Sequence, residues 1–291
     1  MMTAGAALVL LLGATEPYVR SHVSPGNPDS HCLWWQGGSV TYHQAQGGNP
    51  DNGGTEFGAI TRAFQSWQTV MNECGNLTLT EGARLSDRKV GFDQKNLSSN
   101  TNFILFRTRN CTAVAPSGDA CWKDGDCGNK YDCWPYNGVT IALTTSTYDT
   151  KTGRLYDADV EFNSSYYFTT VDKPVCPGDV RSQTCVAYDI QNTMTHEAGH
   201  MLGLDHTDFP GSTMNPTAPR GEITKRDLDT GSKSFVCEVY PKSRISQDCV
   251  VVPVTKQLGR AGCAAAGVGP GAWWGAVALA LWTLRRKGAR A

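Results

Sequence analysis

The body of this chain has no excess of positive charge. Its 291 residues carry 26 Lys and Arg against 27 Asp and Glu, a formal net charge of −1. No acidic residue follows Asp248, whereas Arg260, Arg285, Arg286, Lys287 and Arg290 all do. Residues 1–259 therefore hold 21 positive and 27 negative charges, a net of −6. A phosphate binder needs the opposite sign, so nucleic acid is excluded as a partner. The chain also lacks an internal repeat, a sustained heptad pattern and a paired CxxC zinc-ribbon motif. Those absences exclude solenoid, coiled-coil and ribbon readings. At 40% hydrophobic it is too apolar for a disordered chain and long enough to bury a core.

Cysteine is plentiful instead. Eleven are present, and ten lie between Cys32 and Cys249, an even number compatible with five disulfides whose pairing spacing does not reveal. Such density argues for an oxidising compartment. Ala4–Ala14 has the length of a signal-peptide apolar region, too short to span a bilayer, although no basic residue precedes it. The odd cysteine, Cys263, opens a tail in which an apolar run, Ala272–Leu284, is closed by Arg285-Arg286-Lys287. Counted from Ala261 the run reaches 24 residues, with its basic end on the cytoplasmic side. The tail resembles the myxobacterial C-terminal sorting tail (MYXO-CTERM), and an ordinary membrane anchor is the alternative. Either implies membrane contact through the tail before processing, and an extracellular or cell-surface protein. The expected organisation is a signal-like segment (1–14), a Pro/Ser-rich lead-in (15–31), a catalytic domain (32–249), a linker (250–262) and the tail (263–291).

Within the domain, Ile60, Phe64, Trp67 and Met71 form one apolar helical stripe that ends near Cys74-Gly75. Ser39–Tyr42, Leu77–Thr80, Phe103–Arg107, Val139–Thr144 and Ala158–Phe162 read as strands, the last two joined by a hairpin turn at Asp149–Gly153. Residues 110–137 hold four cysteines and little periodicity, the mark of a disulfide-stapled loop. Its Asp124, Asp126 and Asp132 suggest either calcium or solvated turn residues, and the EF-hand pattern is incomplete. Asp189 is a candidate cap for a helix from Ile190 to about Leu202. Thr224–Val236 reads as a last amphipathic helix.

The decisive run is His196-Glu197-Ala198-Gly199-His200-Met201-Leu202-Gly203-Leu204-Asp205-His206. Histidines at i and i+4 share a helix face and can reach one ion. Gly203 can adopt positive φ, ending the helix and swinging His206 in as a third ligand. Three imidazoles leave the fourth tetrahedral position of Zn²⁺ open, which is the arrangement of a catalytic zinc. Five fixed positions give a chance expectation on the order of 10⁻⁵ for a chain of this length. Eight residues beyond His206 stands Met214.

With Met214-Asn215-Pro216 and Thr207, this motif resembles the metzincin zinc endopeptidases, closest to the matrixins. The resemblance covers about residues 33–241. It implies an α+β metzincin-type fold: a mixed twisted sheet, a first helix, a zinc-binding helix, and a small C-terminal subdomain after the Gly203 turn. It implies one catalytic zinc on His196, His200 and His206, with Glu197 as general base toward a zinc-activated water and Met214 as the Met-turn beneath. Ile141, Ala142, Leu143 and Thr144 would bind extended protein or peptide substrate by strand addition. The segment from Asn215 and Pro216 to Ile223 would wall the pocket for the residue after the scissile bond. There are departures. No His lies between His43 and His196, so the family's structural zinc is expected to be absent. Glu161 stands where one such His is expected and Asn163 replaces an Asp, which leaves Ca²⁺ open. The PRCGxPD activation motif is missing, and Cys32 is either a thiolate that blocks the zinc or half of a disulfide. A zinc endopeptidase, a catalytically silent binding module and a self-processing enzyme are the functional alternatives.

Overall fold

In the computed structural model, which describes residues 18–250, the chain begins with β1 (Val19–Arg20), β2 (Gly38–Gln44), α1 (Thr55–Cys74), β3 (Leu77–Glu81) and β4 (Asn102–Arg107). Three short helices follow, α2 (Cys111–Val114), α3 (Cys121–Asp124) and α4 (Cys127–Tyr131). The hairpin β5 (Ala142–Tyr148) and β6 (Leu155–Asn163) leads to β7 (Phe168–Thr169), β8 (Tyr188–Asp189), α5 (Ile190–Met201), β9 (Leu204–Asp205) and α6 (Thr230–Val239). The signal-like segment 1–14, the linker after Val250 and the tail with Cys263 lie outside the described residues.

Five strands form one mixed sheet in the order β3-β2-β4-β6-β5. All neighbours are parallel except β5, which runs antiparallel to β6 and forms an edge. Strand β6 shows why the sheet is covered on both faces. Its Ala158, Val160 and Phe162 point into the main core with Ile60, Trp67, Met194 and Ala198. The alternate residues Asp157, Asp159, Glu161 and Asn163 face the other way and are also buried. Buried carboxylates need partners. Glu161 finds the fully buried Arg107 and the Tyr136 hydroxyl, and Asp159 accepts from the backbone N–H of Gly91 and Phe103.

Helix α1 lays its apolar stripe on the sheet and on α5, and Trp67 Nε1 donates to Thr195 O at 2.9 Å. The expected strand at Val139–Thr144 begins later, at Ala142, and runs to Tyr148. Val139 is 77% exposed, and the Thr140 N–H closes a turn onto Asn137 O. The expected helix Thr224–Val236 is two pieces, a 3₁₀ turn at Thr224–Arg226 and then α6. Asp229 breaks the run by capping α6 through the Ser232 N–H, while its other oxygen accepts from Thr213 N. Leu228, Phe235, Val236 and Val239 share the main core with α1, so this stretch packs into the same hydrophobic unit.

Five disulfides join Cys32–Cys249, Cys74–Cys237, Cys111–Cys133, Cys121–Cys127 and Cys176–Cys185. Cys32 is thereby a disulfide sulfur, and the thiolate alternative falls away. The described part of the lead-in, residues 18–31, is not a loose strand. Val19 and Arg20 pair with Asp205 and Leu204, and Ser21 N–H donates to Gly203 O at 2.9 Å.

Candidate metal centre and substrate cleft

Helix α5 starts where Asp189 accepts from Asn192 N–H at 2.7 Å, satisfying one of the orphan donors of its first turn. It ends at Gly203, whose φ is +100°, and a Cβ there would stand 2.5 Å from Leu33 O. Only glycine fits both the left-handed backbone and the close approach. The chain then turns back through β9 and delivers His206. Beneath α5, Gly199 lets Met214 seat against the helix, because a Cβ at 199 would lie 2.3 Å from its sulfur. Met214 is 1% exposed.

The three imidazoles converge. His196 Nε2 lies 3.2 Å from His206 Nε2 and 3.2 Å from His200 Nε2, and the third separation is 3.1 Å. Nitrogens around a tetrahedral zinc with Zn–N bonds of about 2.05 Å stand roughly 3.3 Å apart, so the donor set fits that ion. Two tautomers are also imposed. His196 Nδ1 donates to Thr213 O at 2.7 Å and His200 Nδ1 to Leu204 O at 2.8 Å, because a carbonyl can only accept. Each Nε2 is thereby left with its lone pair free to ligate. Burial lowers the pKa of all three rings, most strongly His196, and keeps them in the neutral form that a metal requires.

Glu197 stands beside them, 5% exposed, with its pKa pushed up to about 7 by burial. Opposing that shift, Thr144 Oγ1 donates to Glu197 Oε2 at 2.7 Å. A carboxyl poised near neutrality beside a tri-imidazole cluster suits proton transfer.

One cleft of about 650 Å³ is lined by His196, Glu197, His200 and His206 together with Ile141, Ala142, Leu143, Thr144, Asn215 and Pro216. Residues of the edge strand β5 and of the chain after Met214 both line it. Residues that the sequence did not single out also line it, notably Tyr166, Tyr188, Asn192, Thr193 and Lys225. Asn192 and Thr193 precede His196 by four and three positions on α5, so helical spacing could have found them. Lys225 and the two tyrosines carry no local signal. They arrive through chain reversals.

The acidic residues considered for calcium do not gather. Asp124 and Asp126 are exposed, and Asp132 is taken by Arg88 and Arg107. Glu161 is neutralised by Arg107, and Asn163 donates to Thr140 O and accepts from Ser165 N–H. A guanidinium thus holds the carboxylate that stands in the expected structural-zinc position. Among the described residues the other convergent set of ligand atoms is His22 with Cys32 and Cys249, whose sulfurs are bonded to each other.

Residues 122–240 match the Matrixin family model. The chain is 29% identical over 121 residues to "Metalloendoproteinase 1-MMP" of Arabidopsis thaliana, covering 40% of this chain and 30% of that protein. It is 24% identical over 201 residues to "Metalloendoproteinase 1" of Glycine max, covering 67% of this chain and 50% of that protein. The chain thus spans half or less of the length of either curated relative. The matched segment contains the three convergent histidines, Glu197 and Met214, and together these likenesses support a matrixin-like metalloprotease.

Proposed function

We propose that this chain is a zinc-dependent metalloendopeptidase that cleaves protein or peptide substrates in the cleft between β5 and the segment after Met214. The observation that carries the reading is the convergence of three neutral imidazole Nε2 atoms at 3.1–3.2 Å beside a buried carboxyl. Zinc held by His196, His200 and His206 would supply a Lewis acid and a water of pKa ~7. Glu197 accepts the proton of the attacking water and delivers it to the leaving amine. Thr144 orients the Glu197 carboxylate through its hydroxyl. The outer edge of β5, unpaired among the described residues, aligns an extended substrate by main-chain pairing, which is how an edge strand recognises peptide. The Thr213 carbonyl holds His196 in register, and Met214 seats beneath Gly199 of the same helix. Calcium is left out of this proposal, since Asp132 is already engaged by two guanidinium groups. Five disulfides support an exported protein, and we place it at the cell surface through the tail at 263–291.

The test compares the full disulfide-bonded chain with Glu197→Ala on a pool of unfolded proteins, with zinc content measured on both. The expected result is about one zinc in each, chelator-sensitive cleavage by the parent, and a loss of at least ~10²-fold in the variant. Cleavage retained by Glu197→Ala would falsify the mechanism. Zinc in both with cleavage by neither would favour a binding module.

A further inference from the structure

Lys225 is a buried cation that the mechanism above leaves unused. Its side chain is only 3% exposed, yet it lines the cleft. Its backbone N–H donates to Asn192 Oδ1 at 2.8 Å, which pins it one turn before His196, about 6 Å along the axis of α5. Lys225 Nζ donates to Thr217 O and to Glu222 Oε2, the latter at 3.3 Å. An ammonium has three N–H bonds, so one is left without a protein acceptor among the described residues. Its charge is felt at Glu197, His196 and His206. A desolvated donor next to the reacting groups favours a substrate that brings an acceptor and penalises one that does not.

Resting on the protease reading, we propose that Lys225 is a specificity-determining residue. It selects a side chain long enough to reach it and ending in a hydrogen-bond acceptor, that of glutamate or glutamine, at the position after the scissile bond. Tyr166 and Tyr188, edge to face with ring centroids 5.0 Å apart, line the same cleft and offer apolar surface to the methylene stem of such a side chain. Glu222, 18% exposed, offsets the ammonium charge, so the neutral amide is accepted as well as the carboxylate. An aliphatic side chain of the same length gives the third N–H no acceptor.

The test is cleavage-site profiling of a randomised peptide library by the full disulfide-bonded protein, followed by kcat/KM on peptides that differ only in Gln, Glu or Leu at that position. The expected result is a preference of about tenfold or more for Gln and Glu over Leu, the size of one hydrogen bond to a charged group. Lys225→Met should reverse it toward Leu and Met, with zinc content and melting temperature checked on the same sample. Glu222→Gln leaves the ammonium uncompensated and should raise the Glu-to-Gln ratio, a readout independent of whether Lys225→Met folds. A parent that prefers Leu, a Lys225→Met profile identical to the parent's, or a Glu-to-Gln ratio unmoved by Glu222→Gln each overturns the assignment while leaving the protease reading intact. Absence of any cleavage by the parent overturns the protease reading, and this assignment with it.

Discussion

Gly199→Ala probes how tightly the histidine helix is seated on the turn beneath it. The added Cβ would lie 2.3 Å from Met214 Sδ, 3.1 Å from Met214 Cε and 3.1 Å from Trp67 Cζ2. Ordinary contacts are ~3.5–4 Å, so the thioether must retreat by more than an ångström. Trp67 cannot yield, being fully buried and tied to Thr195 O. Methionine is adaptable, but Met214 is held on both sides of its backbone, by Ser212 Oγ to its N–H and by the Thr207 N–H to its carbonyl. Overpacking of this kind costs about 1–3 kcal/mol. Replacing a mid-helix glycine by alanine returns ~1 kcal/mol. The packing term outweighs the helix term, for a net loss of up to roughly 2 kcal/mol, or up to about 8 °C in melting temperature for a domain of this size. The displaced turn carries the Thr213 carbonyl that orients His196, so zinc affinity should fall by ~10-fold or more. The assay is thermal unfolding followed by circular dichroism, with a zinc competition titration against a chromophoric chelator. Met214→Ala in the Gly199→Ala background should recover part of the loss by making room, a coupling that a double-mutant cycle measures. A variant that melts at or above the parent with unchanged zinc affinity would refute the close-packing argument.

Thr144→Val removes the hydroxyl that holds Glu197 Oε2 and should lower kcat by about tenfold with little change in KM or zinc content. A rise in KM at constant kcat would instead mean that Thr144 acts as a substrate contact only. Asp157 and Asp159 both have pKa values raised by burial, Asp159 also by the charge of Asp157. The folded state therefore keeps a proton that the unfolded chain releases above about pH 4, and this pair lowers stability as pH rises from there. Asp157→Asn, at a site where Oδ2 has no partner among the described residues, should raise the melting temperature by a few degrees at about pH 8 and by less at about pH 5. An equal shift at both pH values would show that the titration of this pair does not contribute to stability over that range.

Local chemistry made much of the site legible before any coordinates. The i, i+4 histidines, the Asp189 cap and the Gly203 turn depend on residues within a few positions of one another, so helical geometry alone places them. The hairpin β5–β6 was visible in its turn residues, and α1 in its apolar stripe. The breaks in reading have equally physical causes. Asp229 splits the last helix because it caps α6 and also accepts from Thr213, 16 residues away, a competition that periodicity does not register. The start of β5 moved because Asn137 and Gly138 form a turn ahead of it. Local sequence leaves Asp132 open to calcium or to solvent, and it is Arg88 and Arg107, distant in sequence, that engage it.

What the sequence by itself determined is the helix that carries His196 and His200, its turn at Gly203, and a cysteine density that suits an oxidising compartment. These follow from short-range backbone geometry and from composition. Which cysteine meets which, how Thr144 reaches Glu197 across 53 positions, and how Lys225 enters the cleft were decided only by the tertiary structure. Such contacts form between segments brought together by burial of the sheet and helices. Their partners are chosen by the packing of the whole core and not by any spacing along the chain.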